Sequence, residues 1–253
     1  MNLILLDPGE VGAGGDVTLS DARATHLRAV LRVAPGDQLR VGVIDGSRGM
    51  ATVQRCAGAS VTLRCTLDPD VPGRPRVDVL LALPRPKVMR RLWAQIAALG
   101  AGRIILTNAE RVERDYFDTH VLTPAWYRPR LVEGLQQARD TRLPAVSIHK
   151  RFKVLVEDEL DGLFGSGGLR LVGDPSAATT VAAAVHRYAY KAPGGRVLVA
   201  IGPEGGWNAF EIALLEAHGF ERVGMGPRTL RTDTACVALL ALVHAALATD
   251  AAD

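Results

Sequence analysis

The chain of 253 residues has few cysteines, no long uncharged apolar run and no large charge excess, and each scarcity narrows what it can be. Its three cysteines, Cys56, Cys65 and Cys236, match neither a disulfide framework nor a CxxC metal site. They read as reduced thiols that act as small hydrophobes, and no structural metal is expected. No stretch reaches the roughly 20 uncharged apolar residues that span a bilayer. The longest candidate, Thr234 to Ala248, is short and carries His244. The N-terminal MNLILLDPGE has no basic residue before its brief apolar stretch and meets Asp7 and Pro8 at once, which argues against a secretion signal. The expected address is cytoplasmic. Internal repeats and low-complexity tracts are absent. Neither GxGxxG nor GxxxxGK[ST] follows any strand-like run, which weakens a dinucleotide-oxidoreductase reading.

What is present is a hydrophobic content of 48%, enough to bury a core, and an uneven distribution of charge beneath a net value of +3. Residues 1–73 carry 7 basic and 8 acidic side chains, residues 74–153 carry 16 and 7, and residues 154–253 carry 7 and 12. The middle third is therefore strongly basic. That suits a polyanion-binding face, and from charge alone a set of solvated helix surfaces is an equal alternative.

The first part shows short alternating segments at 37–45, 49–56 and 60–67 parted by turn residues, a spacing that predicts a small antiparallel sheet or barrel. One helix interrupts them, capped by Ser20, with the body DARATHLRAVLRV and a Pro35-Gly36-Asp37 stop. On such a helix Arg28 and Arg32 share a face near His26, as either a solvated stripe or a phosphate-contacting one. Asp68 to Arg76, with three prolines and a glycine, reads as a linker. The expected division is residues 1–72 and 73–253. Beyond it, apolar strands at 77–83, 103–108, 169–174, 196–202 and 221–225 alternate with helices, which predicts an α/β fold with a mainly parallel sheet covered on both faces. In the first of these helices Val88, Leu92, Ile96 and Leu99 recur at helical spacing and are expected in the core.

Two segments concentrate chemistry. IGPEGGWNAFEI, Ile201 to Ile212, leaves a strand through a glycine-rich loop and enters a helix, with Asn208 and Glu211 spaced for a capping arrangement. Strand carboxyl ends are where open α/β sheets bind ligands. MGPRTLRTDTA, Met225 to Ala235, repeats the strand–loop–helix pattern, capped by Thr232 or Asp233. If these loops lie at adjacent strand ends they form two walls of one pocket. Arg228 and Arg231 then add positive charge suited to a carboxylate, a phosphate or a base carbonyl, or pair with Glu204 or Asp233.

GPEGG at 202–206 followed by GPRTLRTDTA at 226–235 resembles the paired signature of the SPOUT-class methyltransferases, specifically those that methylate a uracil N3 of small-subunit ribosomal RNA. HLRAVLRVAPGD at 26–37, AERV at 109–112 and TRLP at 141–144 extend the likeness over nearly the whole chain. The resemblance implies a PUA-like RNA-binding barrel over 1–72 and an α/β-knot methyltransferase domain over 73–253, threaded into a trefoil knot and paired as a homodimer. It implies S-adenosyl-L-methionine as cofactor, held by Leu198, Ile201, Gly202, Glu204, Gly205 and Gly206 on one side and Met225, Gly226, Leu230, Thr234 and Ala235 on the other. Arg231 is similar to an arginine placed between cofactor and substrate and is the catalytic candidate. Arg28, Arg32, Arg85, Lys87 and Arg228 are the candidates for contact with ribosomal RNA or the small ribosomal subunit. The sequence departs from the family pattern at Ala98, Arg139 and Asp140, at Trp207 where phenylalanine is common, and at Asp233 where glutamate is common. Another SPOUT activity, such as ribose 2′-O methylation, and a non-catalytic RNA-binding assembly factor are the alternatives.

Overall fold

A computed structural model describes residues 2–192 and 194–249. The chain divides into two compact units, one running to Arg74 and adding Val132–Leu143, the other holding Pro75–Leu131 and the chain from Pro144 onward.

The first unit is built on strands β1 (Ile4–Leu6), β2 (Asp16–Leu19), β3 (Gln38–Val43), β4 (Arg48–Ala57) and β5 (Ser60–Leu67), in the order β1-β3-β4-β5-β2. Three pairings are antiparallel, but β1 runs parallel to β3, so the sheet is mixed where an antiparallel one was expected. Period-2 alternation works as the sequence indicates: Val61, Leu63 and Cys65 of β5 turn inward with Val17, Leu19 and Val53, while Arg64 stays exposed. Helix α1 (Ala22–Ala29) lays Ala24 and Leu27 on that core. It is shorter than its sequence pattern, and its cap is Asp21, whose carboxylate accepts the Arg23 N–H, rather than Ser20. The helix stops because the chain turns left-handed at Arg32 (φ 53°), two residues ahead of a segment fixed by Pro35. Arg28 and Arg32 are both exposed but therefore do not share a helical face.

The TRLP segment is a structural tie within this unit. Thr141 is fully buried; its hydroxyl donates to the Gly46 carbonyl at 2.7 Å and its carbonyl accepts the Asp45 N–H at 2.8 Å. Asp140 accepts the Thr141 and Arg142 amides at 2.6 and 3.1 Å, which fixes the turn. Arg139 enters that turn at φ 59°, a conformation that glycine adopts freely and arginine only with strain.

The second unit carries six strands, β6 (Val77–Ala82), β7 (Ala101–Thr107), β8 (Ala145–His149), β9 (Leu169–Gly173), β10 (Val197–Ile201) and β11 (Phe220–Val223). All pairings are parallel, in the order β11-β9-β10-β6-β7-β8. Helices α2 (Pro86–Ala98), α3 (Pro124–Ala138), α4 (Phe152–Val154), α5 (Leu160–Phe164), α6 (Val181–Lys191), α7 (Ala209–Ala217) and α8 (Thr232–Thr249) accompany them, with a π-helical turn at Leu155–Glu159 joining α4 to α5. β6 and β10 lie mid-sheet and every residue of both is buried, the signature of a sheet covered on two faces. One face receives α8, which packs on β6 and β10 and against α2 and α6. The other packs Leu80, Ile105, Val172, Leu198 and Ala200 against Phe152, Leu155, Leu160 and Leu215. In α2 the buried set is Met89, Leu92, Trp93, Ile96 and Ala97, while Val88 and Leu99 are only half-buried. Among the described residues no helix is long and apolar enough to cross a membrane, and no group of three His, Cys, Asp or Glu side chains could hold a metal ion.

Candidate functional site

At the carboxyl ends of β9, β10 and β11 the second unit opens a cavity of about 320 Å³. Ile201 to Trp207, the glycine-rich loop after β10, form one wall. Met225, Gly226, Arg228, Thr229 and Leu230, after β11, form another. Thr232, Ala235 and Leu239 of α8 close the space between them. The two loops are joined directly, since the Thr232 hydroxyl donates to the Gly202 carbonyl at 3.3 Å. Their parent strands are not neighbours, so the shared cavity does not depend on adjacent strand ends: β9 lies between β10 and β11. Its end supplies Gly173, Asp174 and Pro175, a third part of the lining that the sequence reading missed. The signal was available, because Gly-Asp-Pro closing an apolar strand is itself a turn at a strand end.

The backbone of the walls is shaped by glycine where a side chain would be strained. Gly206 and Gly226 have φ of 72° and 105°, conformations that L side chains rarely adopt. The loop after β10 is braced from outside. The Arg85 N–H donates to Glu204 Oε1 at 3.1 Å, and the Arg111 guanidinium donates to the Gly205 carbonyl. A Cβ on Gly205 would lie 2.7 Å from Arg111 Cδ, so a side chain there would displace the Arg111 side chain from this brace. Asn208 caps α7 in a capping box: its side chain accepts the Glu211 N–H and Glu211 Oε2 accepts the Asn208 N–H, both at 2.8 Å. The other carboxylate oxygen of Glu211 accepts the Glu110 N–H at 2.7 Å. Glu211 is only 3% exposed, and it ties AERV to the helix that follows the glycine-rich loop.

Charge at the site is arranged by the same contacts. Burial raises the Asp174 carboxyl, but hydrogen bonds from Ser176 and Arg222 outweigh it and hold the group below its ordinary value. Burial acts likewise on Asp233, against the Arg91 hydrogen bond at 2.7 Å, the Thr234 amide and the positive field of Arg231, which together keep it low. Because Arg91 takes Asp233 and a backbone amide takes Glu204, no ion pair among the described residues engages Arg228 or Arg231. Cys236, one turn into α8, is buried, and its thiol is pushed up to about 12 by that burial. It behaves as a small hydrophobe.

Most of the anticipated cofactor residues converge here: Ile201, Gly202, Glu204, Gly205, Gly206, Met225, Gly226, Leu230 and Ala235 all line the cavity. Leu198 does not. It is fully buried in the core on the opposite face of the sheet. Thr234, exposed in the first turn of α8, also lies outside the lining. Arg231 is exposed and falls between two lining residues, Leu230 and Thr232, without lining the cavity itself. Of the RNA candidates, Arg228 lines the cavity and Arg85 braces its loop, while Lys87 is exposed in the first turn of α2. Trp207 was singled out only as a departure, yet it lines the cavity and stacks on Phe152 at 5.1 Å. Its buried indole N–H has no acceptor among the protein atoms, an open donor that a polar ligand atom can satisfy.

A ligand cleft built from strand ends of a parallel sheet, with apolar walls and glycine-shaped loops, is the site of a small-molecule-dependent enzyme of the α/β class. A family model described as an RNA methyltransferase domain matches residues 72–244. The ribosomal RNA small subunit methyltransferase E of Treponema pallidum is 30% identical over 97% of this chain and 92% of its own length. That of Mycobacterium tuberculosis is 26% identical over 86% of this chain and 82% of its own. The chain belongs to the ribosomal RNA small subunit methyltransferase E family. A solved structure of that enzyme from Neisseria gonorrhoeae, bound to S-adenosyl methionine, matches with a TM-score of 0.76 at 21% identity over 97% of both chains. A Legionella pneumophila putative methyltransferase in complex with the same cofactor matches with 0.74 at 25% identity, again over 97% of each.

Proposed function

We infer that this protein is an S-adenosyl-L-methionine-dependent methyltransferase that modifies a uracil N3 in small-subunit ribosomal RNA. The observation that carries the reading is the single cavity shared by the loops after β10 and β11 and tied by the Thr232–Gly202 hydrogen bond. The cofactor supplies an electrophilic methyl group on a sulfonium. Ile201, Met225, Leu230 and Leu239 offer apolar walls for its adenine, and the Trp207 indole N–H offers an unused donor. Glu204 and Arg228 bring opposite charges to the lining, suited to the ammonium and carboxylate of an amino acid.

Uracil N3 is a weak nucleophile while it carries its proton, so the protein must hold the base in line with the methyl group and favour its anionic form. Arg231, adjacent in sequence to two cavity residues and in no ion pair with Asp233, which Arg91 takes, is proposed to set its guanidinium against a base carbonyl and stabilise that anion. Arginine stays protonated, so the N3 proton leaves to an acceptor other than Arg231. The RNA contacts are assigned to Arg28, Arg32, Arg85, Lys87 and Arg228, and the first unit to a PUA-like RNA-binding role. The reading includes a trefoil knot in the second unit and a homodimer. The exposed apolar positions Ala241, Leu242 and Ala245 of α8 offer a face for the second copy. Sedimentation as a monomer at micromolar concentration overturns the dimer. The reading includes a cytoplasmic address.

The test is methylation of purified small-subunit RNA or subunits with the labelled cofactor, followed by mass mapping of the modified nucleotide. A single N3-methyluridine is expected, lost in Arg231→Ala with modest change in cofactor affinity. A ribose-methylated product, or none from folded protein, overturns the function, and near wild-type activity in Arg231→Ala removes that residue from the mechanism.

A further inference from the structure

Asn208 and the start of α7, next in the chain after the wall that ends at Trp207, line a second cavity, of about 470 Å³, that shares no lining residue with the methyl-transfer site. It is formed after β7 by Asn108 to Glu110, Val112 and Arg114, and closed by α4 and the start of α7. Three features point to its ligand. Phe210 is 59% exposed at its edge, an apolar ring left in water on the first turn of a helix. Arg114 and Lys153 put two cations on the rim; Arg114 forms no ion pair among the described residues, and Lys153 reaches only the exposed Glu157 at 3.7 Å. The buried Oδ1 of Asn108 has no hydrogen-bond partner, an acceptor without a donor. Glu211 also lines the cavity, but both its oxygens already accept backbone N–H groups, so its charge is taken up. Glu110, exposed beside it, remains an acceptor.

An aromatic face, cations and an open acceptor within one cavity fit an unpaired nucleotide: the base stacks, the phosphate meets the cations, and a base N–H reaches the acceptor. We propose that this second cavity holds an unpaired nucleotide of the substrate RNA that flanks the target, its base on Phe210, its phosphate on Arg114 and Lys153, and a base N–H on Asn108 Oδ1. The site rests on the methyltransferase reading for its substrate. Its position adds a consequence. The segment that lines it, AERV, also holds the cofactor loop through Arg111 and Glu211, so a nucleotide seated there rests on the brace of the methyl-donor cleft.

The experiment titrates the full-length protein into a fluorescein-labelled single-stranded oligoribonucleotide and, separately, into a duplex RNA, following anisotropy over a salt series. Phe210→Ala is expected to weaken single-strand binding about tenfold and duplex binding hardly at all. Arg114→Ala is expected to lower the salt slope by about one. Both side chains are exposed, and unchanged calorimetric affinity for S-adenosyl-L-methionine in each variant shows that the neighbouring cleft is intact. Single-strand affinity unchanged in Phe210→Ala, or an equal loss on duplex, overturns the nucleotide seat. Failure of the wild-type enzyme to methylate ribosomal RNA would instead count against the proposed function, and the anisotropy difference is read without turnover.

Discussion

Replacing Glu211 by alanine removes one side chain and the two hydrogen bonds that its carboxylate accepts. The carboxylate closes the α7 capping box on the Asn208 N–H and, with its other oxygen, takes the Glu110 N–H from a loop 101 residues away. Loss of that half of the capping box, with Asn208 still accepting the residue 211 N–H, costs about 1 kcal/mol. Leaving the Glu110 amide without its acceptor costs about 1 to 2 kcal/mol more, because a hydrogen bond to a charged group is lost from a partly buried position. The sum, about 2 to 3 kcal/mol, is a large share of the stability of an ordinary domain. Glu211→Gln keeps an acceptor oxygen for one of the two amides and should lose about half as much. Urea unfolding at neutral pH, followed by circular dichroism, gives the stability change. Calorimetry with S-adenosyl-L-methionine should show affinity reduced about fivefold, since Asn208 directly follows the cavity wall that ends at Trp207. A loss below about 0.5 kcal/mol with unchanged cofactor affinity would refute the idea that this carboxylate braces the loop.

Three further outcomes follow from particular residues. Arg139→Gly should stabilise the protein by about 0.5 kcal/mol in the same unfolding assay, because relief of the left-handed backbone outweighs the extra freedom glycine gains when unfolded. Burial holds the His244 imidazole below its ordinary value of 6.5. The unfolded chain therefore takes up the proton first, so stability is full above pH 6.5 and falls as the pH drops toward 5, and this part of the decline should vanish in His244→Gln. Arg28→Ala with Arg32→Ala should weaken RNA binding and lower its salt slope by about two, measured by anisotropy; an unchanged slope returns both to a solvated surface.

Much of this was legible in the sequence where a strong period or special residues left no competing choice. The all-apolar runs of β6 and β10 declare a sheet buried on both faces, and Asn208-x-x-Glu211 forms the cap that its spacing indicates. Shorter or half-exposed elements left no such trace. β1 is an apolar run of only three residues, too short to declare a strand, and β8 at the sheet edge has no fully buried position and no alternation to read. The C-terminal end of α1 was overextended because VLRV continues a helical pattern while the backbone turns at Arg32. Strand order is also invisible to local pattern. That β9 inserts between β10 and β11, and brings Asp174 and Pro175 to the cavity, is set by tertiary packing. Leu198 belongs to the same lesson: one residue along a strand exchanges one face of the sheet for the other, which separates it from the cavity that Ile201 lines.

The central claim is that the turns after β10 and β11 make one cleft for a methyl donor, and calorimetric titration with S-adenosyl-L-methionine tests it most directly. One site per chain is expected in the wild type, with affinity lost when Gly206 or Gly226 is replaced by valine, since each holds a backbone angle closed to that side chain. No heat from folded wild-type protein, or equal affinity in both variants, would contradict it.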